Sequence, residues 1–137
     1  MASEIAGLMY HEVTDDPTTS GFQRPGALPY TLSRAAFHSH LTAIAGGALT
    51  PELVTQLTLS TNGTGKHRHL LLTFDDGGAS AMYVADQLAK HDWKAHFFII
   101  TGRIGERTFL KPADIRTLRS AGHVIGTHSH THPDIFR

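Results

Sequence analysis

The sequence predicts an α/β fold built on a parallel sheet or barrel. Three observations lead there: a continuous apolar run at Leu70–Phe74, a second at His96–Thr101, and helical-period patterns between and after them. A strand covered on both faces reads as an unbroken apolar run, whereas a half-exposed strand alternates. Strand, helix, strand, helix, strand is the rhythm of parallel strands joined by crossover helices.

Taken in order, Ile5–Val13 reads as a short buried strand. The stretch 15–29 holds three prolines with several Gly, Ser and Thr residues, so a long loop is expected, with bounds at 14–31. Ser33 is suited to cap a helix with Phe37, Leu41, Ile44 and Ala45 on one face. Pro51 suits the first turn of a second short helix, and Asn62–Gly65 reads as a turn. After the Leu70–Phe74 strand, Ala81, Val84, Ala85 and Leu88 recur at helical spacing. Pro112 opens a further helix with Ile115 and Leu118 inward, and Gly122 stands where a helix end favours positive φ. Val124 and Ile125 form the last short strand.

The chain has 137 residues and no internal repeat, so one domain over 1–137 is expected. Apolar residues make up 40% and charged residues 18%, which suits a globular protein. Twelve basic residues balance twelve acidic ones, and no basic cluster suggests nucleic acid as a partner. The absence of Cys excludes disulfides, thiolate metal sites and Cys nucleophiles. The first residues show no secretory signal pattern, and no apolar run nears the roughly 18 residues of a membrane span. As it stands the chain reads as cytoplasmic, without a membrane span.

Chemistry-bearing residues gather in two places. Thr73-Phe74-Asp75-Asp76-Gly77-Gly78 follows an apolar strand directly, and in α/β folds working residues collect at the carboxyl ends of strands. Adjacent carboxylates raise each other's pKa unless a positive charge sits beside them, and a bound cation resolves that conflict. A plain turn with a capping Asp is the other reading of Asp-Asp-Gly. The second cluster, Gly126-Thr127-His128-Ser129-His130-Thr131-His132-Pro133, follows the last strand and emerges at the same end. Three His within five residues point to a metal, against the alternative of a surface His run. If the run stays extended, all three His share a face; if it is helical, His128 and His132 pair at i, i+4.

Thr-Phe-Asp-Asp-Gly followed by His-Ser-x-x-His-Pro resembles the first two motifs of the polysaccharide deacetylase family, carbohydrate esterase family 4. Leu-Met-Tyr-His-Glu-Val near the start and Ala-Gly-His-Val-Ile-Gly-Thr-His extend the likeness over nearly the whole chain. The resemblance implies that Asp76, His128 and His132 are metal ligands and that Asp75 is the general base. His130 falls on a variable position and stays outside the ligand set, while Ser129 stabilises the loop. Zn²⁺ is the ion implied first, with Co²⁺, Ni²⁺ or Mn²⁺ accepted by similar donors. The implied reaction is hydrolysis of acetyl groups on a carbohydrate polymer or oligomer, giving acetate and a free amine.

The resemblance also implies what is missing. The family's later Arg-x-Pro, Asp/Trp and Leu-x-His segments are not found after His132, and Arg24-Pro25-Gly26 reads as a coincidental likeness to the first of them. An incomplete (β/α) barrel of the glycoside hydrolase/deacetylase type is therefore expected, with about four parallel strands and its C-terminal half lacking, since such barrels take about 200 residues or more. Loss of a general acid costs about 10²–10⁴-fold, so weak or no activity is expected of the chain alone. A non-catalytic metal- or carbohydrate-binding remnant is the alternative, and an unrelated phosphoesterase is disfavoured for want of a second metal cluster.

Among single residues, His11 ends the first strand; a role beside the site is open, with a structural His preferred. His123 is placed at the start of the last strand, and Trp93, Phe97 and Phe98 are read as core. Asn62-Gly63-Thr64 fits a glycosylation sequon but reads first as a turn.

Overall fold

The computed structural model describes residues 4–57 and 68–134. Among them, four parallel strands form the main sheet in the order β1-β4-β5-β6, with β1 at Glu4–Tyr10, β4 at Arg68–Phe74, β5 at His96–Ile99 and β6 at Val124–Thr127. Two short strands, β2 (Glu12–Val13) and β3 (Thr31–Leu32), pair in parallel and close the base of the 14–30 excursion. The crossover helices are α1 (Arg34–Ala45), α2 (Ala81–Ala89) and α3 (Pro112–Ser120). None of the described helices is long and apolar enough to cross a membrane.

The register puts Phe74 opposite Tyr10 on one side and Phe97 on the other. Their rings stack across the sheet at centroid distances of 5.2 and 5.3 Å, and Phe37 of α1 meets Phe74 edge-on at 6.0 Å. Such cross-strand aromatic contacts add to simple area burial. Leu72, Val84, Leu88, Leu110 and Leu118 complete the core, each at 1% exposure or less. Each fully buried side chain of this size stabilises the fold by about 1.5–3 kcal/mol.

The helices start and stop where local chemistry dictates. The Ser33 hydroxyl accepts the Ala36 N–H at 3.1 Å and opens α1. Asp114 accepts the Lys111 N–H at 2.8 Å at the start of α3, and Gly122 beyond its end takes φ +95°.

Several expectations need correction. β1 is not buried: Ile5 and Met9 are 50% and 62% exposed, because among the described residues the strand lies at the edge of the sheet and pairs with β4 alone. No helix begins at Pro51; Pro51 bridges Leu70 beside β4, Glu52 N–H bonds Leu70 O at 2.8 Å, and a short 3₁₀ turn follows at Val54–Gln56. Extra backbone pairing along β4 outcompetes the helical turn. Ala45 ends α1 exposed instead of facing the core, and Phe98 is half-buried. Thr101 has left β5 for a 3₁₀ turn at Thr101–Arg103. The Asn62–Gly65 turn and the sequon lie outside the described residues.

Candidate metal centre

Parallel strands deliver their C-terminal ends to one rim, and there the two motifs meet. Asp75 leaves β4 with its N–H on Tyr10 O at 2.9 Å, still in the sheet. The chain then turns sharply: Asp76 and Gly77 take φ +74° and +79°. A side chain on Gly77 would meet Ile99 at 2.9 Å in addition to this backbone cost, so only Gly serves there. The reversal leaves Asp76 buried and Asp75 half-buried.

On the other side, His128 N–H continues the sheet by bonding Ile99 O at 2.8 Å. Ser129 and His132 then adopt left-handed φ of +62° and +54°. The Ser129 hydroxyl accepts the His132 N–H at 2.9 Å and closes this turn, the loop-stabilising part expected of it. The run is thus neither extended nor helical. Left-handed non-Gly residues cost of order 1–3 kcal/mol each and persist where the surroundings over-determine them. Here the hydrogen bonds of Thr101 and Gly102 to the carbonyls of Ser129 and His130 pin the loop.

The turn brings the Nε2 atoms of His128 and His132 to 3.5 and 3.6 Å from Asp76 Oδ1. The three donor atoms all lie within 4.8 Å of one another. Asp76 Oδ1 is buried and has no hydrogen-bond partner among the described residues, which is costly for a carboxylate oxygen unless something else meets it. Donors about 2.1 Å from a tetrahedral ion stand about 3.4 Å apart. Donor set, spacing and orphaned oxygen therefore fit a divalent cation. His130 stands apart, its Nδ1 paired with Thr101 Oγ1 at 2.9 Å.

The group opens into a cavity of about 830 Å³ whose wall also includes Asp75 and His11. Burial pushes the Asp75 carboxyl above its ordinary value, while His128 and His11 pull it the other way. His11 packs on Tyr30 at 4.8 Å and stays outside the three-residue group. Sequence reasoning missed Glu12, Phe22, Arg24 and Tyr30 on this wall. The one available signal was an acid, Glu12, inside an apolar run. The other three sit in a Pro/Gly loop where no periodicity marks a direction, and Arg24, set aside on sequence grounds, stands on the cavity wall.

Fold and rim together define an α/β protein whose strand ends gather a carboxylate and two imidazoles suited to a cation. The family model for polysaccharide deacetylases matches residues 62–137, over half of the chain, and the chain belongs to that family. It is 30% identical over 112 residues to a peptidoglycan-N-acetylglucosamine deacetylase of Bacillus cereus, covering 80% of this chain and 39% of that one. A chitooligosaccharide deacetylase of Rhizobium leguminosarum bv. trifolii is 34% identical over 70 residues, covering 50% of this chain and 31% of the relative. Among solved structures, IcaB from Ammonifex degensii superposes with a TM-score of 0.75 at 22% identity, over 94% of this chain and 54% of its own. A polysaccharide deacetylase from Bacillus cereus gives 0.77 at 19% identity, over 98% and 42%. The chain thus spans less than half the length of these curated relatives. Its four parallel strands form part of the (β/α) barrel of this family, as the sequence led one to expect.

Proposed function

We propose that the chain carries the hydrolytic site of a carbohydrate deacetylase acting on N-acetylated sugars of a polymer or oligomer. The observation that supports this most is Asp75 standing on the same rim as the Asp76–His128–His132 group. A site that only bound a cation has no use for a second carboxylate beside its ligand. The names of the relatives from Bacillus cereus and Rhizobium, a peptidoglycan-N-acetylglucosamine deacetylase and a chitooligosaccharide deacetylase, support acetylated amino sugars as the substrate class.

Asp76, His128 and His132 would hold Zn²⁺, with Co²⁺, Ni²⁺ and Mn²⁺ as ions the same donors accept. When bound, such an ion polarises a carbonyl and lowers the pKa of water. Asp75 takes a proton from the attacking water as its oxygen bonds to the acetyl carbon. The C–N bond then breaks, the sugar nitrogen gains a proton, and one water is consumed per acetate released.

The test is acetate release from N-acetylglucosamine oligomers by the Zn²⁺-loaded chain and its Asp75→Asn variant. Release from the chain alone is expected to be slow, and lower by about 10²–10⁴-fold in the variant at unchanged metal content. Equal rates would remove Asp75 from the reaction. Metal uptake without any acetate release would favour a binding remnant instead.

A further inference from the structure

Glu12 takes no part in the chemistry proposed above, yet at 5% exposure it is as deeply buried as Asp76 and lines the same cavity. A carboxylate at that depth is costly unless its oxygens are engaged. Both are. Oε1 accepts the Gly21 N–H at 2.8 Å, and Oε2 accepts the Ser80 hydroxyl at 2.6 Å. Ser80 closes the turn that carries Asp75 and Asp76, and its oxygen also accepts the Val13 N–H at 3.2 Å. Gly21 begins the wall whose next residue, Phe22, packs on the His132 ring at 5.4 Å.

Two features show that the neighbouring residues are fitted to this carboxylate. Ser80 occupies the position before α2, where a serine hydroxyl ordinarily bonds the helix's own N–H groups. It makes no such capping bond here: its oxygen accepts the Val13 N–H instead, and its proton goes to Glu12. Gly78 has no left-handed φ to account for it, but any Cβ there would overlap the Glu12 carboxylate. Glycine at 78 is therefore a matter of room for Glu12.

We infer that Glu12 is a positioning residue: its carboxylate ties the Asp75–Ser80 turn to the Gly21–Phe22 wall and so holds Asp76 and His132 facing each other. This rests on the reading of Asp76, His128 and His132 as a metal centre. Partners that orient ligands from behind typically change metal affinity 10- to 100-fold when removed.

The experiment measures Zn²⁺ affinity by chelator competition, the Co²⁺ absorption spectrum and thermal melting for the 137-residue chain and for Glu12→Ala, Glu12→Gln and Ser80→Ala. Glu12→Ala is expected to lose Zn²⁺ affinity about 10- to 100-fold and to change the Co²⁺ spectrum. Glu12→Gln, which can still accept from Gly21 and donate to Ser80, is expected to keep most of the affinity. Ser80→Ala cuts only the link to the Asp turn and is expected to lose about tenfold. If Glu12→Ala does not fold, the other two variants decide. Lower melting temperatures with unchanged Zn²⁺ affinity and unchanged Co²⁺ spectra would overturn the inference and leave a plain structural role. No Zn²⁺ uptake by the unmodified chain would overturn both this inference and the metal-centre reading beneath it.

Discussion

Both ends of the main sheet carry histidines, and the two groups are used in opposite ways. At the N-terminal ends of the strands, His69, His96 and His123 each commit at least one ring nitrogen to a bond within the fold. His69 Nδ1 lies 2.8 Å from Glu52 Oε2. His96 donates to Leu72 O at 3.0 Å and accepts the Val54 N–H at 2.9 Å. His123 accepts the Ala95 N–H at 3.1 Å, and burial, with Lys94 nearby, pulls its pKa down to about 4. At the C-terminal rim, His128 and His132 hold their Nε2 atoms 3.5 and 3.6 Å from a buried oxygen that has no hydrogen-bond partner among the described residues. Those separations are too long for good hydrogen bonds and right for sharing an ion. A surplus of His therefore does not locate a site; unspent nitrogens converging on an unsatisfied carboxylate do.

Breaking the structural end should cost stability without touching metal. His96→Ala leaves the Val54 N–H and Leu72 O without their partner, each worth about 1–3 kcal/mol when buried and unmet. Urea denaturation is expected to show a loss on the order of 2–5 kcal/mol, with Zn²⁺ affinity of the folded chain unchanged. Equal damage to both properties would mean that the two ends are not separable.

A smaller effect concerns pH. The folded pKa of His123, about 4, lies below its ordinary value of 6.5, so the unfolded chain binds the extra proton between those limits. Its contribution to stability is fully present above pH 6.5 and is lost as pH falls towards about 4. His123→Asn keeps an acceptor for Ala95 N–H but does not titrate. Its melting temperature is expected to be lower at pH 7.5 and to fall less between pH 7.5 and 4.5 than that of the unmodified chain. Parallel declines would assign the acid sensitivity to other groups.

Much of this contrast was legible in the residues themselves. The unbroken Leu70–Phe74 run located β4, and strand parallelism then placed Asp75 and Asp76 at the same end as His128 and His132. The helical spacing of Ala81, Val84, Ala85 and Leu88 gave the buried face of α2. What periodicity missed is the backbone of the rim. Left-handed φ at Asp76, Ser129 and His132 follows from tertiary hydrogen bonding, and no pattern of residue types announces it. The sequence marked Glu12 only as an acid inside an apolar run; what it ties together was not legible, because its partners lie 9 and 68 residues away. The exposure of β1 was missed because Ile5, Leu8 and Met9 are as apolar as a buried strand's residues, and burial depends on what packs against them.

The central claim, that the rim alone holds a metal, is tested most directly by Zn²⁺ content after loading and dialysis. The unmodified chain, His128→Ala and His130→Ala should be compared. Near one equivalent in the unmodified chain and in His130→Ala, with none in His128→Ala, is the expected result, since His130 is paired with Thr101 and turned from the group. No Zn²⁺ in the folded, unmodified chain, or equal loss in both variants, would contradict the account.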